Sequence, residues 1–394
     1  MRILMVHPHD IMSVSEPWTR RIKSIAAELA RNGNTVKLAY FPLSRDGAKP
    51  QILDDGYEVI PLNRRISPVI FIKNTIGLLR LSVWADIVHF QKCHHYSAIP
   101  AVLAAYISGK HLHYDWDDWE EMIWYESNSD RDWNTSFIGH SFKVLERLLP
   151  LLSDTVSVSS QHLRDLAVKF GVREEDIYSA PVGADLKDFS PDIKAGNIKE
   201  RYDIPGPMVL YIGQLHGAQY IDLFIKAAKE VLSKNTEVVF MIVGEGFMER
   251  NLRDLALRLG ISDKVIFTGA VAHNEIPRYI AAADVCVAAF KDTKVTRCKS
   301  PLKIAEYMAC GKAVVASNVG EVRRMLGGVG ILVDPDDANS LAEGILRIIG
   351  DKDLGDRLGK FARIRVEEKY NWVKTTANLF VAYQKIINLK NAGV

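Results

Sequence analysis

Along the chain, short runs of apolar, mostly β-branched residues alternate with longer stretches whose apolar positions recur at helical spacing. In the first half, RILMVHP (2–8), TVKLAYFP (35–42), YEVIPLN (57–63), DIVHFQ (86–91), HLHYDW (111–116), TVSVSS (155–160) and IYSAPV (177–182) read as strands. They are nearly continuous apolar runs, as parallel strands covered on both faces require. TRRIKSIAAELARNG reads as a helix closed by Gly33, and SFKVLERLLPLLSD as a helix that Pro150 should end or kink. The second half repeats the rhythm. MVLYIGQ (208–214), EVVFMIVGEG (237–246), KVIFTGAV (264–271), DVCVAAF (284–290), AVVAS (313–317) and GILVDP (330–335) are its strands. YIDLFIKAAKEVLSK, FMERNLRDLALRLG, NEIPRYIAAA and LAEGILRIIGD are the helices between them.

Alternation of this kind predicts doubly wound α/β architecture in both halves. A chain of 394 residues also exceeds one ordinary core. The expected organisation is a first domain over 1–190, a polar linker at 191–205 and a second domain from 206. The place for a ligand is the cleft at the carboxyl ends of the strands.

A net charge of +2 gives no nucleic-acid signature. Cys93, Cys286, Cys298 and Cys310 show no CxxC spacing, so they read as reduced thiols with no zinc site. MRILMVHP is a strand from its first residue and not a signal peptide, and the apolar zone 67–90 is broken by Lys73, Arg80 and Asp86. The expected location is the cytoplasm, including the inner face of the membrane.

The segment SPLKIAEYMACGKAVVAS (300–317) concentrates chemistry. Ser300 is a good N-cap, Pro301 a good first helical residue and Gly311 a good C′ residue. Such a helix, with Leu302 and Lys303 in its first turn, offers N–H groups to a phosphate. Glu306 lies on the face of Lys303, about one turn deeper, where a ribose would sit. The plain alternative is an ordinary capped helix with a half-exposed glutamate.

EYMACGKAVVAS resembles the signature of glycosyltransferase family 4. PVGADLKDFSP, VGEGFMERNLRDLA, VIFTGAVAHNEIPRYIAAADV and NWVKTTANLFVAYQKI resemble further family segments. The resemblance implies the GT-B fold: two Rossmann-like domains facing each other across a cleft. The second would run over 206–375, and a terminal helix at 376–394 would return to the first. It implies a nucleotide-diphosphate sugar as donor substrate and no cofactor. The acceptor would be a carbohydrate or a lipid-linked sugar. Glu306 inherits the ribose contact, the backbone around Val271 meets the base, and Gly213, Gln214 and Gly244 border the donor. Three positions depart from the pattern. Cys298 stands for the first Glu, Gln214 and Gln219 for the usual Arg and Lys, and Val182 for the linker Asn. Arg297, Lys299 and Lys303 are then the candidates for the missing positive charge on the diphosphate.

In HLHYDWDDWEEMIWYE, the family's His-Asp pair falls at Asp117 and Asp118. Asp117 is the candidate for orienting or deprotonating the acceptor hydroxyl. Two other readings are a divalent-metal site and acids that cap the next helix. Trp116, Trp119, Trp124 and Trp133 crowd the same stretch, where they stack on a sugar, meet a membrane or fill the core. The glycine-free loop HPHDIMSVSEPWTRR makes His9, Asp10 and Ser15 minor candidates. RRISPVIFIKNTIGLLRLSVW joins basic residues to an apolar stripe. It is expected to pack beneath the DIVHF strand, with contact to a membrane surface as the alternative. The reading is a retaining, metal-independent glycosyltransferase. Its alternatives are a GT-B-type epimerase or phosphorylase and a nucleotide-sugar-binding protein without turnover.

Overall fold

The computed structural model describes residues 1–13, 16–44, 46–127, 133–216 and 220–391. The chain divides into two compact units, Met1–Pro181 with Trp372–Val394, and Val182–Asn371. The division thus lies ahead of residue 190, and 191–205 belong to the second unit.

The first unit contains β1 (Arg2–His7), α1 (Arg20–Arg31), β2 (Thr35–Tyr40), β3 (Gln51–Ile52), β4 (Glu58–Pro61), α2 (Pro68–Trp84), β5 (Ile87–Gln91) and α3 (His95–Ser108). It continues through β6 (His111–Trp116), α4 (Glu120–Ser127), α5 (Trp133–Leu152), β7 (Thr155–Val158), α6 (Gln161–Phe170) and β8 (Ile177–Ser179). Its sheet has the order β3-β4-β2-β1-β5-β6-β7-β8. All pairings are parallel except β3 against β4. The short antiparallel β3 was not legible, because two residues carry no periodicity.

The second unit contains α7 (Ile198–Arg201), β9 (Met208–Ile212), α8 (Ile221–Lys234), β10 (Val239–Val243), α9 (Glu249–Arg258), β11 (Val265–Phe267), α10 (Ile276–Ala282) and β12 (Val285–Ala288). There follow α11 (Lys294–Cys298), α12 (Leu302–Ala309), β13 (Val314–Ser317), α13 (Gly320–Leu326), β14 (Ile331–Val333), α14 (Ala338–Gly350) and α15 (Lys352–Lys369). Its all-parallel sheet has the order β11-β10-β9-β12-β13-β14. The chain then returns to the first unit as α16 (Trp372–Asn391).

In each sheet the strand order reverses beside the first strand. The reversal falls between β1 and β5 in one unit and between β9 and β12 in the other. Doubly wound sheets bind ligands at such points, because the crossovers diverge there and leave a crevice beyond the strand ends.

Three sequence expectations need correction. Pro150 lies inside α5. It sits in the last turn, where the missing N–H removes a single bond and the helix is about to end anyway. Ser300 does not cap α12. Pro301 holds the N-cap position, and Ser300 Oγ accepts the Val182 N–H at 3.2 Å instead. The helix α2 does form, but only Asn74, Leu78 and Ser82 are buried along it. It leans on α3, and Val69, Ile72, Ile76 and Val83 are exposed.

Candidate functional site

At the β9–β12 switch point, α12 is locked onto the end of β9. Tyr307 Oη accepts the Ile212 N–H at 2.9 Å. Lys303 Nζ donates to Tyr211 Oη at 2.8 Å and lies 4.0 Å from the centroid of that ring. Gly213 follows directly, with φ 151°, and a Cβ there would stand 2.7 Å from Lys303 Nζ. The glycine therefore makes room for the ammonium as well as for the turn. Gly244 ends β10 in the same way, and a Cβ on it would meet the Gly213 carbonyl at 2.0 Å. The helix α12 closes as expected. Gly311 has φ 66°, and the Gly311 and Lys312 N–H groups donate to Met308 and Tyr307 carbonyls.

The charges here are concentrated. Burial lowers the Lys303 ammonium to about 7, Lys299 pushes it the same way, and Glu306 pulls it back up. His216, in the loop after β9, is lowered to about 4 by burial and then by repulsion from Lys299 and Lys303. Glu306 is buried one turn after Lys303. Arg297, in contrast, is a half-exposed residue of α11 paired with Asp292 at 2.6 and 2.8 Å. Cys298 is a buried thiol in the same short helix. Gln214 and Val271 are half-buried at the ends of β9 and beyond β11. Gln219 lies outside the described residues, as do Ser15 and the side chain of Trp133.

The β1–β5 switch point of the first unit holds the second cluster. Asp117 follows β6, and its Oδ2 accepts from Gln91 Nε2 at 2.9 Å. Lys92 Nζ lies 3.4 Å from Asp117 Oδ1, 3.5 Å from Asp118 Oδ2 and 2.5 Å from Glu120 Oε1. Burial lifts the Asp117 carboxyl well above the usual carboxylate range, and Lys92 counters part of that rise. Burial likewise pushes the Lys92 ammonium down, but Asp117, Glu120 and Asp118 hold it well above its ordinary value. His94 Nε2 is buried there with no hydrogen-bond partner among the described residues, and the His94 ring meets that of His9 at 4.9 Å. The loop after β1 is organised on Glu16. Its carboxylate binds His9 Nδ1 at 3.1 Å, the Asp10 N–H at 2.6 Å and both Arg64 nitrogens at 3.0 and 2.9 Å. Burial raises the Glu16 carboxyl, yet these donors bring it down to about 2.

Among the described residues the acids after β6 make no capping bond to α4. The buried Glu146 of α5 does, accepting the Glu120 and Glu121 N–H groups at 2.8 and 2.9 Å and Trp116 Nε1 at 3.2 Å. Trp116 is core, stacked on Phe170. Sequence reasoning missed Lys92, Gln91, Glu146 and His216. For Lys92 a signal existed: a charged residue placed immediately after a continuous apolar strand.

Two doubly wound units of this kind, each with its polar cluster at the switch point, define the GT-B fold. The backbone is similar to that of Anabaena HepE in complex with UDP and glucose, with a TM-score of 0.75 at 17% identity over 98% of this chain and 100% of that one. Residues 206–351 match the family Glycosyl transferases group 1, so the second unit carries a glycosyl transferases group 1 domain. The chain is 26% identical over 204 residues to alpha-D-kanosaminyltransferase of Streptomyces kanamyceticus, covering 51% of this chain and 52% of that protein. It is 28% identical over 234 residues to a GDP-mannose-dependent alpha-(1-6)-phosphatidylinositol monomannoside mannosyltransferase of Mycobacterium tuberculosis, covering 58% and 60%. The match thus spans between half and three fifths of these relatives.

Proposed function

We propose that the protein is a retaining glycosyltransferase that moves a sugar from a nucleotide-diphosphate sugar to an acceptor hydroxyl. The observation that carries this reading is the pair Lys299 and Lys303 beside Glu306 at the switch point of the group 1 domain. A leaving diphosphate gains charge as the glycosidic bond breaks, and preorganised cations stabilise it. Lys303, fixed on Tyr211 under Gly213, is placed for that work, and Lys299 adds a second charge. Ser300, Pro301 and Leu302 form the entry to α12, whose first turn adds N–H groups. Glu306 takes the ribose hydroxyls, with Gly213, Gln214, Gly244 and Val271 around the donor. Arg297 is tied to Asp292 and contributes least. Asp117, with Asp118 beside it, assists the acceptor hydroxyl. The relative named for GDP-mannose and the HepE complex with UDP and glucose support a nucleoside-diphosphate sugar as the donor. A thermal-shift screen against nucleoside diphosphates and their sugars tests this, since a ligand raises apparent stability by mass action. Release of nucleoside diphosphate upon adding cell-derived acceptors then separates transfer from binding alone. If no nucleotide shifts the melting point, the reading fails.

The acceptor is proposed to be presented by a membrane. The layer α2, α3 and α5 exposes Val69, Ile72, Ile76, Tyr106, Ile107 and Leu148. Arg65, Lys73, Arg80 and Arg147 are exposed among them. The sequences of α2 and α3 hold no Asp or Glu, and that of α5 holds only the buried Glu146. An apolar surface with cations, built on helices that expose no acid of their own, fits an anionic bilayer. Among the described residues no helix is long and apolar enough to cross a membrane.

A further inference from the structure

Lys92 is one of four non-glycine residues with a left-handed backbone among the described residues, with φ 65°. That conformation is unfavourable for an ordinary L-residue, because Cβ crowds the backbone, so something must hold it. Regular extension of β5 would send residues 91 and 92 to opposite faces of the sheet. The left-handed turn brings both side chains to Asp117, Gln91 by a hydrogen bond and Lys92 by its charge. One oxygen each from Asp117, Asp118 and Glu120 lie within 4.8 Å of one another. That spread is the one that oxygen ligands adopt around a single divalent ion. Lys92 Nζ reaches all three, and its side chain is only 5% exposed.

We propose that Lys92 is a resident cation that takes the place of a divalent metal in this cluster and positions the Asp117 carboxylate for an incoming hydroxyl. The first half of this statement stands on the first unit alone; the second rests on the transfer reading above. A tethered ammonium offsets one of the cluster's negative charges at all times and bridges its members, so the three carboxylates stay together without drawing on free metal. It also leaves Asp117 as the deepest acid of the set, more buried than Asp118.

The test uses the full chain as wild type, Lys92→Met, Lys92→Arg and the double variant Lys92→Met with Asp118→Asn, each checked for folding by circular dichroism. Mn²⁺ binding is read from the free-ion signal in electron paramagnetic resonance. Lys92→Met is expected to bind Mn²⁺ at least roughly tenfold more tightly than wild type or Lys92→Arg, because oxygen ligands suit such ions. The double variant is expected to lose that gain. Turnover should fall roughly a hundredfold in Lys92→Met, at the low end of acid–base assistance, with donor KM unchanged and with recovery in Lys92→Arg. If Lys92→Met fails to fold, Lys92→Gly carries the same measurement, since glycine suits the left-handed backbone. Wild type binding Mn²⁺ as tightly as the neutral variants overturns the proposal, and so does a folded neutral variant that gains no affinity. Unchanged turnover in the neutral variant overturns the positioning role. The Mn²⁺ arm needs no sugar nucleotide, so its failure is distinguishable from a failure of nucleotide binding by the second unit.

Discussion

Lys303 is lowered to about 7 by burial, so near neutrality it is only part-protonated. A bound diphosphate favours its charged form and raises that value. Affinity is therefore greatest below about pH 7 and falls as pH rises toward the bound-state value, with proton uptake on binding near pH 8. Calorimetry in buffers of different ionisation heat reads this uptake, and Lys303→Arg should abolish it. Lys303→Ala should weaken diphosphate binding by about 1.5–3 kcal/mol and uncharged nucleoside hardly at all, whereas Glu306→Ala should weaken both. Asp117→Asn should lower turnover by roughly two to four orders of magnitude with little change in donor affinity. Diphosphate affinity intact in Lys303→Ala, or lost in Asp117→Asn, would reverse these assignments. Residues held by local pattern, such as Lys303 and Glu306 on one helix face and Gly311 after it, were legible in the sequence. Those defined by distant partners were not. Ser300 has the chemistry of a cap, but Pro301 displaced the helix start and left its hydroxyl for Val182. Glu146 caps a helix from another one, a relation that no spacing records.

At the scale of elements, strands 2–8, 35–42 and 208–214 were readable because buried parallel strands are continuous apolar runs. Their ends shrank by a residue or two where the chain turns into the switch-point loops. The helix α2 was expected beneath the DIVHF strand, yet it leans on α3 and leaves much of its apolar stripe exposed, a placement that stood only as the alternative. Its exposure makes the membrane proposal measurable. Wild type should sediment with vesicles containing anionic phosphatidylglycerol, less so as salt rises, and little with phosphatidylcholine alone. Ile72→Glu with Lys73→Glu should abolish the anionic binding while leaving the melting point nearly unchanged, since both side chains are exposed. If the double variant instead turns a dimer into a monomer, the face is a subunit contact.

On the scale of the whole molecule, alternation of strand and helix was enough for two doubly wound units, whereas the division at 181/182 was not marked by the polar, Pro/Gly-rich stretch that follows it. What ties the first unit together is a buried polar network. Arg21 of α1 pairs with Asp115 at 2.8 and 2.7 Å, and Tyr383 of α16 meets His89 Nδ1 at 2.7 Å. His89 is lowered to about 4 by burial, so the unfolded chain takes up its proton first. Its contribution to stability is complete above the ordinary histidine value of about 6.5 and is lost as pH falls toward about 4. Melting temperature should drop across that window, and the drop should shrink in a folded His89→Gln variant. An unchanged slope would place the acid sensitivity elsewhere.

The network also gives the polypeptide a schedule. Residues 182–371 form one uninterrupted stretch of the chain, so on the ribosome the second unit can complete itself as it emerges. The first unit cannot, although all its strands appear earlier. The hydroxyl that His89 awaits and the apolar residues Leu379, Ala382 and Ile386 arrive only with α16, after the whole second unit has been made. Until α16 emerges the nascent first unit keeps one flank of its sheet open, and that half of the molecule is where chaperones would be needed.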